Sequence, residues 1–286
     1  MIHISPDDVK AGIPSDWFAK ADQALKDVEA IIDPAARSDA IDARATIWQS
    51  LRDSLSKLRN DKCWYCECND ARCDRPVDHF RPKGGVVEDK QHEGYWWLAF
   101  AWENFRYCCQ FCKERRVDRH HGTDGGKRHH FPIWTDGVRA RRDGDSLEDE
   151  KAMLLDPCCR TDPPFLWFDE DGKPVPNPHT CGPIDSFPSR RVGASIHCYH
   201  LDHVRVKDRR RTLYEKIGRK VADTEDMLQR YQQRGDVAAQ RFLEKSIREI
   251  QEFLLPDAPL SWTAECALMS LRARYVVAEI ALSGPR

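Results

Sequence analysis

Cys63-Trp-Tyr-Cys66 and Cys109-Gln-Phe-Cys112 are two Cys-x2-Cys pairs, and Val77-Asp78-His79-Phe80-Arg81-Pro82-Lys83 lies between them. A Cys-x2-Cys turn puts two thiolates on one side of an ion. Two such turns complete the tetrahedral set that zinc prefers and leave no position open for a substrate. Cys63, Cys66, Cys109 and Cys112 therefore read as a structural zinc site, with an apparent binding energy on the order of 10–16 kcal/mol at neutral pH. A redox dithiol or a disulfide would account for one pair but not for a pair of pairs. The segment between the knuckles offers chemistry of another kind. Asp78 and His79 are adjacent, and Arg81 and Lys83 follow closely. Phosphodiester hydrolysis needs a base to activate water, a divalent ion such as Mg2+ or Mn2+ to polarise the phosphate, and cations to hold the backbone. This short stretch carries a candidate for each.

The remaining composition sets bounds on that chemistry. A chain of 286 residues is long enough to bury a sizeable core. Twelve cysteines is a high count, and in a reducing compartment it points to metal ligands and buried thiols rather than a disulfide framework. Cys68, Cys73, Cys108, Cys158, Cys159, Cys181, Cys198 and Cys266 follow no ligand pattern and read as small buried side chains. The net charge of −2 excludes a protein that coats nucleic acid through bulk charge. A nucleic-acid surface must then be local, and Lys113 to Arg128 and Arg205 to Lys220 are the candidate patches. The first residues carry no basic region followed by an apolar run, and no apolar stretch is long enough to span a bilayer, so a cytoplasmic protein with no membrane partner is expected.

The elements that must position these residues follow from periodicity. Two amphipathic helices are predicted over 15–59. Trp17, Phe18, Ala21, Leu25, Val28 and Ile32 mark the first, with Ser15 as its N-cap and Pro34 as its stop. Ile41, Ala45, Trp48, Leu51, Leu55 and Leu58 mark the second. From Asn60 to about Pro132 the period breaks down and Cys, His, Trp and Gly accumulate, as expected where metal ligands replace apolar burial. Gly94 to Trp102 reads as core packing, and 120–130 as a flexible, basic loop. Phe165 to Phe168 followed by Asp169-Glu-Asp-Gly172 reads as a strand and turn. Helices resume from Leu201. Leu213, Ile217 and Val221 mark one and Val237, Phe242, Ile247, Ile250 and Leu254 another, with a last one capped by Ser261 whose apolar face runs from Trp262 to Ile280.

Cys-x2-Cys, then Asp-His, then Asn104-x4-Cys-x2-Cys resembles the zinc-containing HNH nucleases. His79-Phe-Arg-Pro-Lys83, Tyr95-Trp-Trp-Leu98, Trp102-Glu-Asn104, Phe131-Pro-Ile133, Leu154-Leu-Asp-Pro157 and Ser195-Ile196 to Leu201 are similar to the HNH subunits of Septu-type and retron-linked anti-phage systems. The resemblance covers roughly residues 60 to 215. It implies that His79 activates water, Asp78 binds a catalytic Mg2+ or Mn2+, Asn104 holds the loop bearing the histidine, and Arg81 and Lys83 face the nucleic acid. It also implies DNA as substrate and a partner ATPase, with a retron reverse transcriptase and its msDNA as further partners. The departure is Lys113, which stands where the family has a His or Asn metal ligand. A protonated lysine repels a metal, so either another residue completes the site, with Glu114, His120, His121, His129 and His130 as the candidates, or the metal is held weakly, or the domain binds nucleic acid without cutting it.

The expectation is an α+β protein with a zinc-stabilised ββα-metal (HNH) core flanked by helices. A helical pair covers 1–59, the nuclease core 60–133, a Pro-rich mixed region packed on the core 134–200, and a helical region 201–286. The expected activity is metal-dependent endonuclease cleavage in anti-phage defence, with Arg205, Lys207, Arg209, Arg210 and Arg211 either holding phosphates or forming a solvated helix face. The alternative is a zinc-stabilised nucleic-acid or partner binding module in which Lys113 marks lost catalysis.

Overall fold

Residues 1–70, 72, 75–234 and 237–284 are described by the computed structural model, with the side chains of 234 and 237–239 outside that description. Cys73 and the Val237 side chain, both read from sequence, therefore lie outside the described residues. Among the described residues the architecture is α+β, with helices toward both ends of the chain and three small two-stranded antiparallel sheets between them.

The N-terminal part is more broken than its periodicity implies. A short helix, α1 (Pro6–Ala11), precedes α2 (Ser15–Glu29), which buries Trp17, Ala21, Ala24 and Val28 along one face. Ser15 is the first helical residue and Pro14 holds the cap position, so Ser15 does not cap. Pro34 does not stop a helix but opens α3 (Pro34–Ala43): proline has no N–H to leave unpaired at the first helical position, and Asp33 caps the turn by accepting from the Ala36 N–H at 2.8 Å. The expected second helix is three pieces, α3, α4 (Thr46–Gln49) and α5 (Arg52–Lys57). Its apolar residues still face inward, and the breaks bring Trp48 over the middle of the chain, where its ring meets that of His79.

Next come β1 (Val77–His79) and β2 (Phe105–Tyr107), antiparallel with Val77 opposite Tyr107, Asp78 opposite Arg106 and His79 opposite Phe105. The helix α6 (Gln110–Lys113) follows directly, with Cys109 at its N-cap position. The predicted flexible loop over 120–130 is instead the end of a hairpin, β3 (Arg116–Asp118) with β4 (Thr123–Gly125), followed by a tightly packed segment. Gly126 has φ +107°, and a Cβ there would stand 2.0 Å from the Glu114 carbonyl oxygen, so only glycine lets the chain pass. The Lys127 N–H then donates to the Cys112 carbonyl at 2.8 Å and the Arg128 N–H to the Lys113 carbonyl at 2.7 Å, which ties the segment to α6. The strand and turn read near Phe165 are β5 (Leu166–Phe168) and β6 (Pro174–Pro176).

The C-terminal part begins with α7 (Phe187–Tyr199) and continues as α8 (Val204–Arg234), α9 (Val237–Gln251), α10 (Ser261–Leu271) and α11 (Val276–Leu282). Helix α8 packs against α9, α10 and α11 through a face that includes Ile217 and Val221. The last predicted helix is thus two, and Ser261 is not its cap: it opens α10 and spends its hydroxyl on Glu67 at 3.0 Å. Among the described residues two buried clusters result. The larger joins the knuckle cysteines to α7, α8 and α10, and the smaller joins α2–α5 to the outer side of β1 and β2. Among the described residues no helix is long and apolar enough to cross a membrane.

Candidate active site beside a four-cysteine centre

Cys63, Cys66, Cys109 and Cys112 converge. Their sulfurs all lie within 4.8 Å of one another, and the Cys63–Cys112 and Cys66–Cys109 pairs are each 3.8 Å apart. A tetrahedron with zinc–sulfur bonds of about 2.3 Å has edges of about 3.8 Å, so the cage has the size zinc requires. All four are buried, and local backbone bonds shape both knuckles. The Cys63 N–H donates to the Cys68 carbonyl at 3.0 Å, the Glu67 N–H to the Cys63 carbonyl at 2.8 Å, and the Lys113 N–H to the Cys109 carbonyl at 3.1 Å. The Trp64 N–H donates to the Tyr107 carbonyl at 2.9 Å and so fastens the first knuckle to β2. Zinc held here would lock the first knuckle, β2 and α6 together. Among the described residues no cysteine forms a disulfide; outside the cage, Cys68, Cys108, Cys181, Cys198 and Cys266 are buried, but Cys158 is only half-buried and Cys159 is exposed.

Successive strand residues point to opposite faces, and β1 uses this to separate its two chemical groups. His79 turns to the N-terminal helices. Its ring is 5.0 Å from that of Trp48 and 5.2 Å from that of Phe105, edge to face in both cases. Its Nε2 lies 2.9 Å from the Ala99 carbonyl oxygen. A carbonyl can only accept, so Nε2 carries the proton and Nδ1 of the neutral ring carries the lone pair. Burial is the main cause that pushes the His79 pKa down to about 3. Asp78 turns the other way. Its Oδ2 accepts from the Tyr65 hydroxyl at 2.9 Å and pairs with the Lys127 ammonium at 3.2 Å. Lys127 is fully buried, and its Nζ also donates to the His79 carbonyl at 2.6 Å. Burial raises the Tyr65 pKa well above its usual value, so the phenol stays a donor.

Asn104 closes the far end of this segment. Its Oδ1 accepts from the Arg81 N–H at 2.7 Å while its Nδ2 donates to the Arg81 carbonyl at 2.9 Å and to that of Leu98 at 3.3 Å. The Phe80 N–H donates to the Asn104 carbonyl at 2.7 Å. The chain just after His79 is thereby clamped at both the N–H and the carbonyl of Arg81. Arg81 itself is spent on structure: its Nε bonds the buried Glu150 at 2.7 Å and a terminal nitrogen bonds the Leu147 carbonyl at 3.1 Å. That withdraws it from the nucleic-acid role expected of it. Lys83 pairs with Asp42 and sits 5.4 Å above the Trp48 ring.

A cavity of about 210 Å³ is lined by Asp78, His79, Pro82, Lys83, Lys113, Glu114, Arg128 and His129. Of the residues considered as replacements at Lys113, Glu114 and His129 reach this cavity. His121 instead bonds Asp118 at 2.9 Å, His130 bonds Glu88 at 2.9 Å, and His120 is held through its backbone by Asp118. Among the described residues, the four cysteines are the one group of three or more His, Cys, Asp or Glu side chains close enough to share an ion. A donor set for a second, divalent ion at Asp78 is not assembled, and the nearest charge to that carboxylate is an ammonium. The basic run on α8 divides: Arg209 pairs with Asp70 at 2.5 Å and Arg211 with Asp208 at 3.0 Å. Arg210 is fully buried, with its guanidinium 4.0 Å over the Phe168 ring and bonded to the Leu201 carbonyl at 2.6 Å, so it neither faces solvent nor holds a phosphate.

Tyr65 and Trp48 are site residues that sequence reasoning missed, and Lys127 and Arg128 were read only as members of a basic patch, with no sign that one is buried and the other lines the cavity. Gly125-Gly126 before Lys127 was the available signal, since paired glycines mark a close backbone passage as readily as a flexible loop.

No family model matches the chain. Over 215 residues it is 28% identical to the Septu protein PtuB of Bacillus mycoides (strain KBAB4), an alignment that covers 71% of this chain and 65% of that protein. Over 125 residues it is 27% identical to the Septu protein PtuA of the same organism, covering 42% of this chain and 16% of that one. The chain thus spans less than two thirds of the length of these relatives.

Proposed function

We propose that this chain is a nuclease subunit of a Septu-type anti-phage defence system, and that it hydrolyses phosphodiester bonds of DNA through an HNH-like core in which His79 activates water. The observation that carries the reading is the state of His79: a neutral imidazole fixed through Nε2 to a backbone carbonyl, with its lone pair on Nδ1, in the wall of a cavity that also holds Lys83, Lys113 and Arg128. The β1, β2, α6 order around a zinc knuckle and the similarity to PtuB support the same reading. His79 is held unprotonated by burial, which suits a base, and the negative charge of a bound phosphate raises its affinity for the proton it must take. Asn104 is a positioning residue that keeps the turn after His79 in register. Zinc on the four cysteines supplies rigidity and no chemistry. An ATPase encoded alongside restrains the nuclease until triggered, because an unregulated one would damage its host. The similarity found is to Septu proteins, and a retron reverse transcriptase and its msDNA form no part of the reading.

The test is cleavage of supercoiled plasmid and single-stranded DNA, with Mg2+ or Mn2+ present, by the full chain with and without its neighbouring ATPase. Wild type is expected to cut, and His79→Ala to lose about 10²-fold or more while keeping its zinc. Equal cutting by both would refute the role of His79. The Lys127–Asp78 ion pair favours a second reading, a binding module without cleavage, and retention of DNA with no cutting under any of these conditions would establish it.

A further inference from the structure

We propose that Lys113 and Arg128 do at this site what a divalent cation would do, holding and charge-balancing the phosphate that His79-activated water attacks. This rests on the nuclease reading above and changes what the reaction depends on.

The charges around the cavity lead to it. Asp78 and Glu114 are its carboxylates; Lys83, Lys113 and Arg128 are its cations. The Asp78 carboxylate is already answered by Lys127, whose ammonium is enclosed and also bonded to the His79 carbonyl. An ion seated on Asp78 would have to share it with that fixed positive charge, which cannot leave without an exit to water. Lys83 is answered by Asp42. That leaves Lys113 and Arg128 set against Glu114. The Lys113 ammonium makes only a long contact with the Val77 carbonyl, 3.4 Å, and the Arg128 guanidinium has no hydrogen-bond or ion-pair partner among the described residues. Their backbones are joined by the Arg128 N–H to Lys113 carbonyl bond, one residue along from the bond that ties Lys127 to Cys112. Both cations are therefore mounted on the second zinc knuckle and do not depend on a flexible loop for their placement. A guanidinium and an ammonium on adjacent chain segments match the non-bridging oxygens of a phosphodiester.

The step balances without a metal. Water forms a bond to phosphorus as its proton passes to His79 Nδ1. The bond from phosphorus to the leaving nucleoside oxygen breaks, its electron pair stays on that oxygen, and that oxygen takes a proton from solvent. Lys113 and Arg128 hold the non-bridging oxygens and make or break no covalent bond.

The test uses DNA carrying phosphorothioates of either configuration, cut by the zinc-loaded full chain together with its ATPase in Mg2+ buffer. Sulfur slows a reaction whose non-bridging oxygen touches Mg2+, and thiophilic Mn2+ restores it. The expectation is that Mn2+ changes the sulfur effect by no more than about twofold, while Lys113→Ala and Arg128→Ala each lose roughly 10²-fold in cutting of ordinary DNA. Lys113→Arg is expected to keep most activity, and the exposed Lys90→Ala all of it; unchanged zinc content certifies folding. Restoration by Mn2+ of about tenfold or more, or full activity in Lys113→Ala, overturns the proposal and leaves the nuclease reading standing. Absence of cutting with every cation and with the ATPase defeats the nuclease reading and this inference with it.

Discussion

Replacing Lys127 with methionine keeps the length of the side chain and removes an ammonium that lies 3.2 Å from Asp78 Oδ2 and 2.6 Å from the His79 carbonyl. Lys127 and Asp78 are both buried, so little water can replace the lost partner. Removing one member of a buried ion pair costs about 3–5 kcal/mol, because the other charge is stranded in a poor solvent. The Tyr65 hydroxyl still donates to Asp78, which holds the cost toward the lower end. The carbonyl of His79 loses its buried donor, at about 1 kcal/mol more. Asp78→Asn in the same background removes the stranded charge and keeps an acceptor for Tyr65, so the double variant should recover at least about 2 kcal/mol of that loss. The assay is urea unfolding of the zinc-loaded protein, followed by tryptophan fluorescence and by circular dichroism, with stabilities compared only where the two probes and their slopes coincide. A cost below about 1 kcal/mol for Lys127→Met, or a double variant that costs the sum of the single ones, would refute the pairing on which the charge argument at the cavity depends.

Cys109→Ser, or stripping the metal with a strong chelator, is expected to release the zinc and unfold the region around β2 and α6, since on the order of 10 kcal/mol of binding energy is also folding energy; elemental analysis paired with near-ultraviolet circular dichroism reads both. The folded pKa of about 3 for His79 lies below the 6.5 of a free imidazole. The unfolded chain therefore binds a proton first on acidification, and stability falls from about pH 6.5 downward, by about 2 kcal/mol between pH 7 and pH 5. His79→Gln lacks that contribution, so the difference between its unfolding free energy and that of wild type across this range measures it; a flat difference would show the imidazole to be solvated. Gly126→Ala should cost at least about 2 kcal/mol, given its positive φ and the 2.0 Å approach to the Glu114 carbonyl. Gly193→Ala, on α7 with nothing within 4 Å, should instead stabilise by roughly 0.5–1 kcal/mol, and both are read by the same unfolding assay.

The parts of the site that were legible are those whose chemistry is imposed by local spacing. Two thiolates three residues apart can share an ion whatever surrounds them, so the cysteine cage follows from its motif. The strand and turn near Phe165 were legible for a similar reason, since an aromatic run stopped by Asp-Glu-Asp-Gly leaves few conformations. Periodicity also gave most of the buried faces of α2 and α8, but Ile32, counted on the first, lies past the end of α2 and is exposed. The period did not give the breaks between α3, α4 and α5, because apolar residues at helical spacing stay in phase across a short interruption. Pro34 was read as a stop although the same residue suits a first turn, and Asp33 beside it was the cap that should have settled the direction.

Charge was the least legible feature, since a sequence lists cations without saying which are already paired. Lys127 belongs to a run of basic residues from which nothing singles it out, and only the glycines before it hint that it is carried into the interior. Arg210 was more accessible to reasoning. The helical steps from Val221 back through Ile217 and Tyr214 land on position 210, so the period that buries those side chains buries the arginine with them. Extending a predicted apolar face through a basic run would have removed Arg210 from the phosphate-binding candidates. The same discipline applied at the cavity counts a charge as available only after its partner has been sought. Asp78, Arg81 and Lys83 all came from the motif and all are engaged, while Lys113, first noticed as the departure from the pattern, is left facing the site with Arg128.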